Sequence, residues 1–247
     1  MAEYSTKFKL NPIKIDGKTC SAVAGTVVVG ENIYTIASKS GDGKQPIAFY
    51  RNDKAIPVRT ESGSTAIARH ANSITYYNHL FYVVTRNGQD ETQVVAFDSG
   101  GVIRKKWKYP RSMIATINHY SGNWFLISVN GGLSVKYRVV EIGKEILDTG
   151  REFRVKIPDK EYQTGNDSFY NKTTKRLYVT KFKDEVHNAV FIYDLSAIRK
   201  EYSPVDVKYY TGKEKFEIEG IGKGMIACVN GVKSGKQNDM IVQLNAK

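Results

Sequence analysis

Three carboxylates open β-forming runs in the second half of the chain. Asp167 lies in GNDSFYN (165–171), and Glu217 and Glu219 lie in EIEGIGK (217–223). Glu217 and Glu219 are two residues apart, so on a strand they point to one face. Carboxylates brought close together split into acid and base, because each raises the pKa of the other. Such groups equally hold a hard cation with help from carbonyl and amide oxygens. An earlier run, HANSITY (70–76), opens with His70 and Asn72. His70 can donate, accept or ligate near neutral pH, and Asn72 offers both donor and acceptor. Tyr162, in EYQTGND (161–167), has the ring and polar tip of a sugar- or base-contacting residue, and Asn166 follows in the same loop. Each residue also has a plainer use. Asp167, Glu217 and Glu219 can cap backbone amides, His70 can bridge two elements, and Asn72 can bond local backbone.

What must position these side chains is a repeat. The β-forming runs NIYTIASK (32–39), LFYVVTRN (80–87), NWFLISVN (123–130), RLYVTKFK (176–183) and GMIACVNG (224–231) place Tyr34, Tyr82, Phe125, Tyr178 and Ile226 at matching points. They lie 48, 43, 53 and 48 residues apart, and a period of roughly 40–50 residues is that of a β-propeller blade. Each unit is too small to bury its own face, so neighbours must stack. In the second repeat four strands are legible, 71–77, 80–87, 92–99 and 102–109, with Asn87-Gly88 and Gly100-Gly101 supplying tight turns. The expected fold is therefore all-β: a five-bladed β-propeller of four-stranded blades, occupying residues 1–247 as one domain. The last repeat ends after its third strand, DMIVQLNA (239–246). The N-terminal residues 5–12 are expected to supply the missing outer strand and close the ring, with Phe8 and Leu10 on one face.

In that architecture the first strand of each blade lines the channel. Aligning the entry segments on the second-strand aromatics sets Ala24, Asn72, Ala115, Asp167 and Glu219 in one ring, with Ala22, His70, Met113, Gly165 and Glu217 two residues upstream. The polar members fall in repeats two, four and five. This asymmetry leaves a polar site on one side of the channel mouth.

Composition narrows the function classes. The net charge of +12 is compatible with an acidic polymer as partner, and equally with Lys and Arg that simply solvate the outer strands of the blades, since the basic residues are spread along the chain. RKKWKY (104–109) mixes basic and aromatic residues but alternates as an outer strand, which disfavours nucleic acid. Two cysteines, Cys20 and Cys228, are too few for a disulfide framework and lack metal spacing. They are buried thiols or, since first and last repeats adjoin in a ring, a disulfide. The N-terminal MAEYSTKFKLNPIKI shows no apolar signal-peptide core, and no run is long enough for a membrane span. Either a cytoplasmic protein or one secreted by another route is expected, and a monomer. Phosphate loops, HExxH, GxSxG and Cys/His zinc patterns are absent.

The entry segments HANSITY, GNDSFYN and FEIEGIG resemble those of five-bladed propellers in the helveticin-J-like bacteriocin group. That resemblance implies a secreted, antibacterial or cell-surface setting. Five-bladed glycosidases are similar in blade number and in using channel carboxylates.

The residues point first to a ligand-binding module for a polar small molecule or glycan, with carbohydrate as the leading class. Its contacts would be His70, Asn72, Tyr162, Asn166, Asp167, Glu217 and Glu219. The second expectation is a glycoside hydrolase-like enzyme, with Asp167 and Glu219 as acid and base and His70 assisting. Carboxyls about 5–5.5 Å apart suit retention and about 6.5–9.5 Å suit inversion. The third is a protein-interaction platform or bacteriocin-like protein. No cofactor is expected, although a channel cation is compatible with the carboxylates.

Overall fold

A computed structural model describes residues 3–38, 45–68, 70–88, 90–129, 134–165 and 167–245. The chain forms a five-bladed β-propeller. The inner strands are Ala22–Val29, Ser73–Tyr77, Thr116–Ser121, Ser168–Asn171 and Phe216–Gly222. Each begins a meander of antiparallel strands running outward, the arrangement that short turns and alternating apolar residues dictate. The inner strands pack against one another around the ring, and Ala22–Val29 meets Phe216–Gly222 to complete the circle.

Closure follows the expected route. Tyr4–Lys9 pairs antiparallel with Met240–Leu244, Tyr4 opposite Leu244 and Lys9 opposite Met240. A register shift between Thr6 and Phe8 leaves Lys7 as the extra residue, which accounts for the imperfect alternation of this segment. Phe8 and Leu10 pack with Ile15, Tyr50, Cys228 and Ile241, between the first and last blades. Cys20 and Cys228 are buried there as free thiols.

Aromatic and branched residues fill the spaces between blades. Tyr34, Phe49, Phe81 and Phe97 form one cluster between blades one and two, with Phe49 and Phe97 ring centres 4.9 Å apart. Tyr82 stacks on Trp107 and tilts against Phe125 at the next interface. Trp107 is the buried member of the basic outer strand Ile103–Lys108, and its indole N–H donates to the Gly143 carbonyl at 3.0 Å. Among the described residues no helix is long and apolar enough to cross a membrane.

Two inner strands approach at the backbone. A β-carbon added to Gly220 would lie 2.5 Å from the Gly25 carbonyl carbon, so neither position has room for a side chain. Gly25 is the extra residue of a bulge, with φ +62°, a conformation that glycine adopts freely.

Candidate functional site

The last blade carries the matching irregularity. Its inner strand pairs Glu217 with Asn230 and Ile218 with Val229, then resumes with Gly220 opposite Cys228. Glu219 is the unpaired residue between them. A bulge re-aims the side chain it displaces. Here it frees a carboxylate from the regular alternation at the point where Gly220 meets Gly25. Glu219 is half-buried and makes no hydrogen bond or ion pair with the described residues. Burial pushes its carboxyl up to about 7, and the charges of Glu217, Asp167 and Asp239 push in the same direction.

The neighbours of Glu219 are more constrained. Glu217 is nearly buried and forms an ion pair with Lys215, Nζ to Oε2 3.0 Å. Asp239 accepts from the Gly231 amide at 3.2 Å and from the Gln237 side chain. Burial raises the Asp239 carboxyl to about 6.

Asp167 is 4% exposed. Its Oδ2 accepts the Ile221 amide of blade five at 3.1 Å, while Oδ1 is left without a hydrogen bond. Burial raises this carboxyl to about 7, against the lowering pull of the nearby Ser73 hydroxyl and of the Ile221 and Ser168 amides. The bond to Ile221 belongs to a series that ties blades two, three, four and five in succession. Ser73 Oγ accepts the Ile117 amide at 3.2 Å. Asn118 Oδ1 accepts the Tyr170 amide at 2.9 Å, and Asn188 Oδ1 accepts the Ile218 amide at 2.9 Å. Elsewhere a neutral hydroxyl or amide serves. At Asp167 an ionisable group does.

The other expected site residues are placed differently. Asn72 is buried, and its Nδ2 donates to the Ala115 carbonyl at 2.8 Å, linking blades two and three. His70 is half-buried, with its backbone amide on the Thr85 carbonyl. Burial, then the Arg86 charge, lowers its pKa. Tyr162 is buried in the core of blades three and four, edge-on to Phe191 and Tyr209. Asn166 lies outside the described residues.

The five-residue ring read from the sequence does not lie at one level. Ala24 pairs with Ile36, two residues beyond Tyr34. Asp167 likewise takes the Thr180 amide, two beyond Tyr178. In blade two the corresponding partner of Val84 is Ser73, so Asn72 sits one step upstream. In blade three Thr116 already faces Ser128, three beyond Phe125, so Ala115 sits further upstream still. A longer turn in blade four than in blade two, and bulges in blades one, three and five, shift the count. Ser73 rather than Asn72 shares the level of Asp167, and Glu219 lies within electrostatic reach of Glu217, Asp167, Asp239 and Lys215.

A further residue escaped the sequence reading. Lys181 is 1% exposed, and its Nζ donates to the Gly165 carbonyl at 2.7 Å and the Gln163 carbonyl at 3.4 Å. Burial lowers its pKa to about 8. It fastens the segment that leads into Asp167. Its signal was the alternation Leu177, Val179, Lys181, which puts a lysine on a strand's buried face.

Among the described residues, no three His, Cys, Asp or Glu side chains converge as a metal-ligand set. A groove of about 940 Å³ lies between the outer parts of blades three and four and includes none of these residues.

No family model and no curated protein matches the chain. Solved structures do match its fold. An α-L-arabinofuranosidase from Podospora anserina, in complex with cellotriose, superposes with a TM-score of 0.54 at 9% identity, covering 100% of this chain and 98% of that one. A GH62 hydrolase in complex with xylotriose gives 0.52 at 10% identity, covering 98% of each chain. Glutaminyl cyclase from Myxococcus xanthus gives 0.50 at 12% identity, covering 98% of this chain and 100% of that one. These likenesses establish the propeller fold.

Proposed function

We propose that the protein is a ligand-binding propeller that takes a neutral polar ligand of the carbohydrate class beside Glu219, on the side of the channel formed by blades four and five. One observation carries this reading. A bulge in the innermost strand presents a half-buried carboxyl that has no hydrogen-bond or ion-pair partner among the described residues, within electrostatic reach of a second carboxyl, Asp167, whose Oδ1 is buried without a hydrogen bond. With pKa values near 7, each group can serve as acceptor or donor at neutral pH. A pair of such groups matches the mixed donor and acceptor character of sugar hydroxyls. A neutral ligand adds no charge to a cluster that already raises its own pKa values. The sugars held by two fold neighbours make cellotriose and xylotriose the first probes.

Glycosidic hydrolysis by Asp167 and Glu219 is the second reading, favoured by the raised pKa values, which suit a general acid. The attachment of Asp167 to the Ile221 amide speaks against it, because that oxygen is committed to joining two blades. A secreted antibacterial role, which the entry-segment resemblance implies, gains no support from the comparisons and forms no part of this reading.

The test is calorimetric titration of cellotriose, xylotriose and a neutral-glycan array against the parent protein and Glu219→Ala. A loss of about tenfold or more in affinity on substitution is expected. Equal affinity in the variant, or no binding across the array, overturns the proposal.

A further inference from the structure

The groove between blades three and four is built unlike the rest of the surface. After its third strand, His187–Asp194, blade four does not turn directly into its outer strand. Residues 195–205 make an excursion, and Glu201–Tyr202 adds in parallel to the outer strand of blade three, with the Arg154 amide on the Lys200 carbonyl at 2.9 Å. The groove of about 940 Å³ opens beside this junction. Five cations line it: Arg151, Arg154, Lys175, Arg199 and Lys200. All five are exposed, and none forms an ion pair among the described residues. Its two acids are already neutralised from outside the groove. Glu152 pairs with Lys136 at 2.8 Å and Arg138 at 3.5 Å, and Glu201 pairs with Lys156 at 2.6 Å. The surplus positive charge is therefore left facing the cleft.

Leu126 and Val139 are buried beneath the groove, and the half-buried Leu195 contributes the accessible aliphatic surface of its floor. At its edge Ile198 is 85% exposed. The aromatic rings are engaged with one another. Tyr120 and Tyr170 lie 5.2 Å apart, Phe153 meets Tyr202 edge-on at 5.2 Å, and its face stacks on Tyr137. Rings committed in this way offer no free platforms for bases, the feature single-stranded nucleic acid requires. Guanidinium groups pair in bidentate fashion with carboxylates, and aliphatic side chains need an aliphatic floor. The volume is at the upper end of the range of about 300–1,000 Å³ for ligand clefts. The strand edge beside it already accepts one extended backbone.

We infer that this groove docks an acidic peptide segment of a partner protein, its carboxylates on the arginine and lysine rim and an aliphatic side chain on the floor. The inference is independent of the channel site. It is tested by fluorescence anisotropy with a labelled nine-residue peptide of alternating aspartate and leucine. Because the whole chain is basic, the decisive comparison is between two double variants that change net charge equally. One is Arg151→Glu with Arg199→Glu in the groove. The other is Lys106→Glu with Lys108→Glu on the outer strand of blade two. The groove pair should weaken binding by about tenfold or more, and the blade-two pair by less than about twofold. Replacing the leucines of the probe by serine should also weaken it. Equal losses in the two double variants would reduce the effect to net charge and overturn the inference. So would absence of peptide binding, or a nine-residue oligothymidylate that binds the groove more tightly than the peptide.

Discussion

Asp167 holds the Ile221 amide across the interface of blades four and five, just as Ser73 holds the Ile117 amide between blades two and three. A neutral acceptor suffices for this bond. The buried carboxyl at Asp167 is therefore an added cost to folding whenever it ionises.

That cost gives a pH-dependent prediction. The folded pKa of Asp167 is raised to about 7 from an ordinary value of 3.8. Below about pH 4 the group is protonated folded and unfolded, so its favourable contribution is fully present. As pH rises to 7, the unfolded chain releases the proton first and stability is lost. Asp167→Asn keeps an acceptor for Ile221 and removes the titration. The variant should match the parent near pH 4 and exceed it at pH 8 by on the order of a few kcal/mol. Denaturant unfolding at several pH values reads this directly. Parallel curves for the two proteins would refute it.

Glu219 predicts a pH effect on ligand binding. Its carboxyl, held up to about 7 by burial and by the charges of Glu217 and Asp167, changes its hydrogen-bonding character across neutrality. Affinity for a neutral oligosaccharide should shift between pH 6 and 8 by about threefold or more, and Glu219→Gln should reduce that dependence, leaving the part due to Asp167. Calorimetry across this range is the measurement. An unaltered pH profile in the variant would place the titrating group elsewhere.

Much of the architecture was legible because it rests on periodicity and turns. The recurrence of Tyr34, Tyr82, Phe125 and Tyr178 located the second strands, and the missing outer strand after residues 239–246 pointed to closure by residues 5–12. The levels within the channel were less legible. An alignment on one aromatic registers neither turn length nor bulges: residues 172–175 turn where residues 78–79 suffice in blade two, and blade three has a bulge between His119 and Ser121, so Asn72 and Ala115 fall upstream of the level of Asp167. Tyr162 read as a loop contact, yet its loop folds back so that the ring packs on Phe191. Loop polarity does not reveal that return. The 195–205 excursion was hidden for a related reason: its pairing partner, Arg154, lies in another blade.

Lys181 tests how the entry to blade four is held. Its ammonium is buried and bonded to the Gly165 carbonyl. Lys181→Met retains most of the apolar stem but leaves that carbonyl without its donor. The variant should lose about 1–3 kcal/mol of stability, the cost of an unsatisfied buried polar group. Amide exchange at Thr164, which bonds to the Phe182 carbonyl, should quicken. If melting and exchange are both unchanged, the lysine does not anchor this segment.

The closing strand carries the largest stability prediction. Removing residues 1–12 takes away the pairing of Tyr4–Lys9 with Met240–Leu244. It also removes the stack of Tyr4 on Phe216 at 4.4 Å and the bond from the Leu10 amide to the Asp239 carbonyl at 2.9 Å. The last blade is left with three strands and an open edge, a template for intermolecular pairing. A loss of several kcal/mol, comparable to the marginal stability of a domain, and aggregation on warming are expected. A milder variant separates edge pairing from packing. Leu10 is 5% exposed and lies just beyond the strand, so Leu10→Ala keeps the backbone ladder while opening space against Ile15 and Ile241. It should cost about 2–5 kcal/mol without the same tendency to aggregate. Thermal unfolding and light scattering of the two variants beside the parent distinguish the contributions. Equal midpoints for the truncated and intact chains would mean that the ring does not depend on this strand for closure.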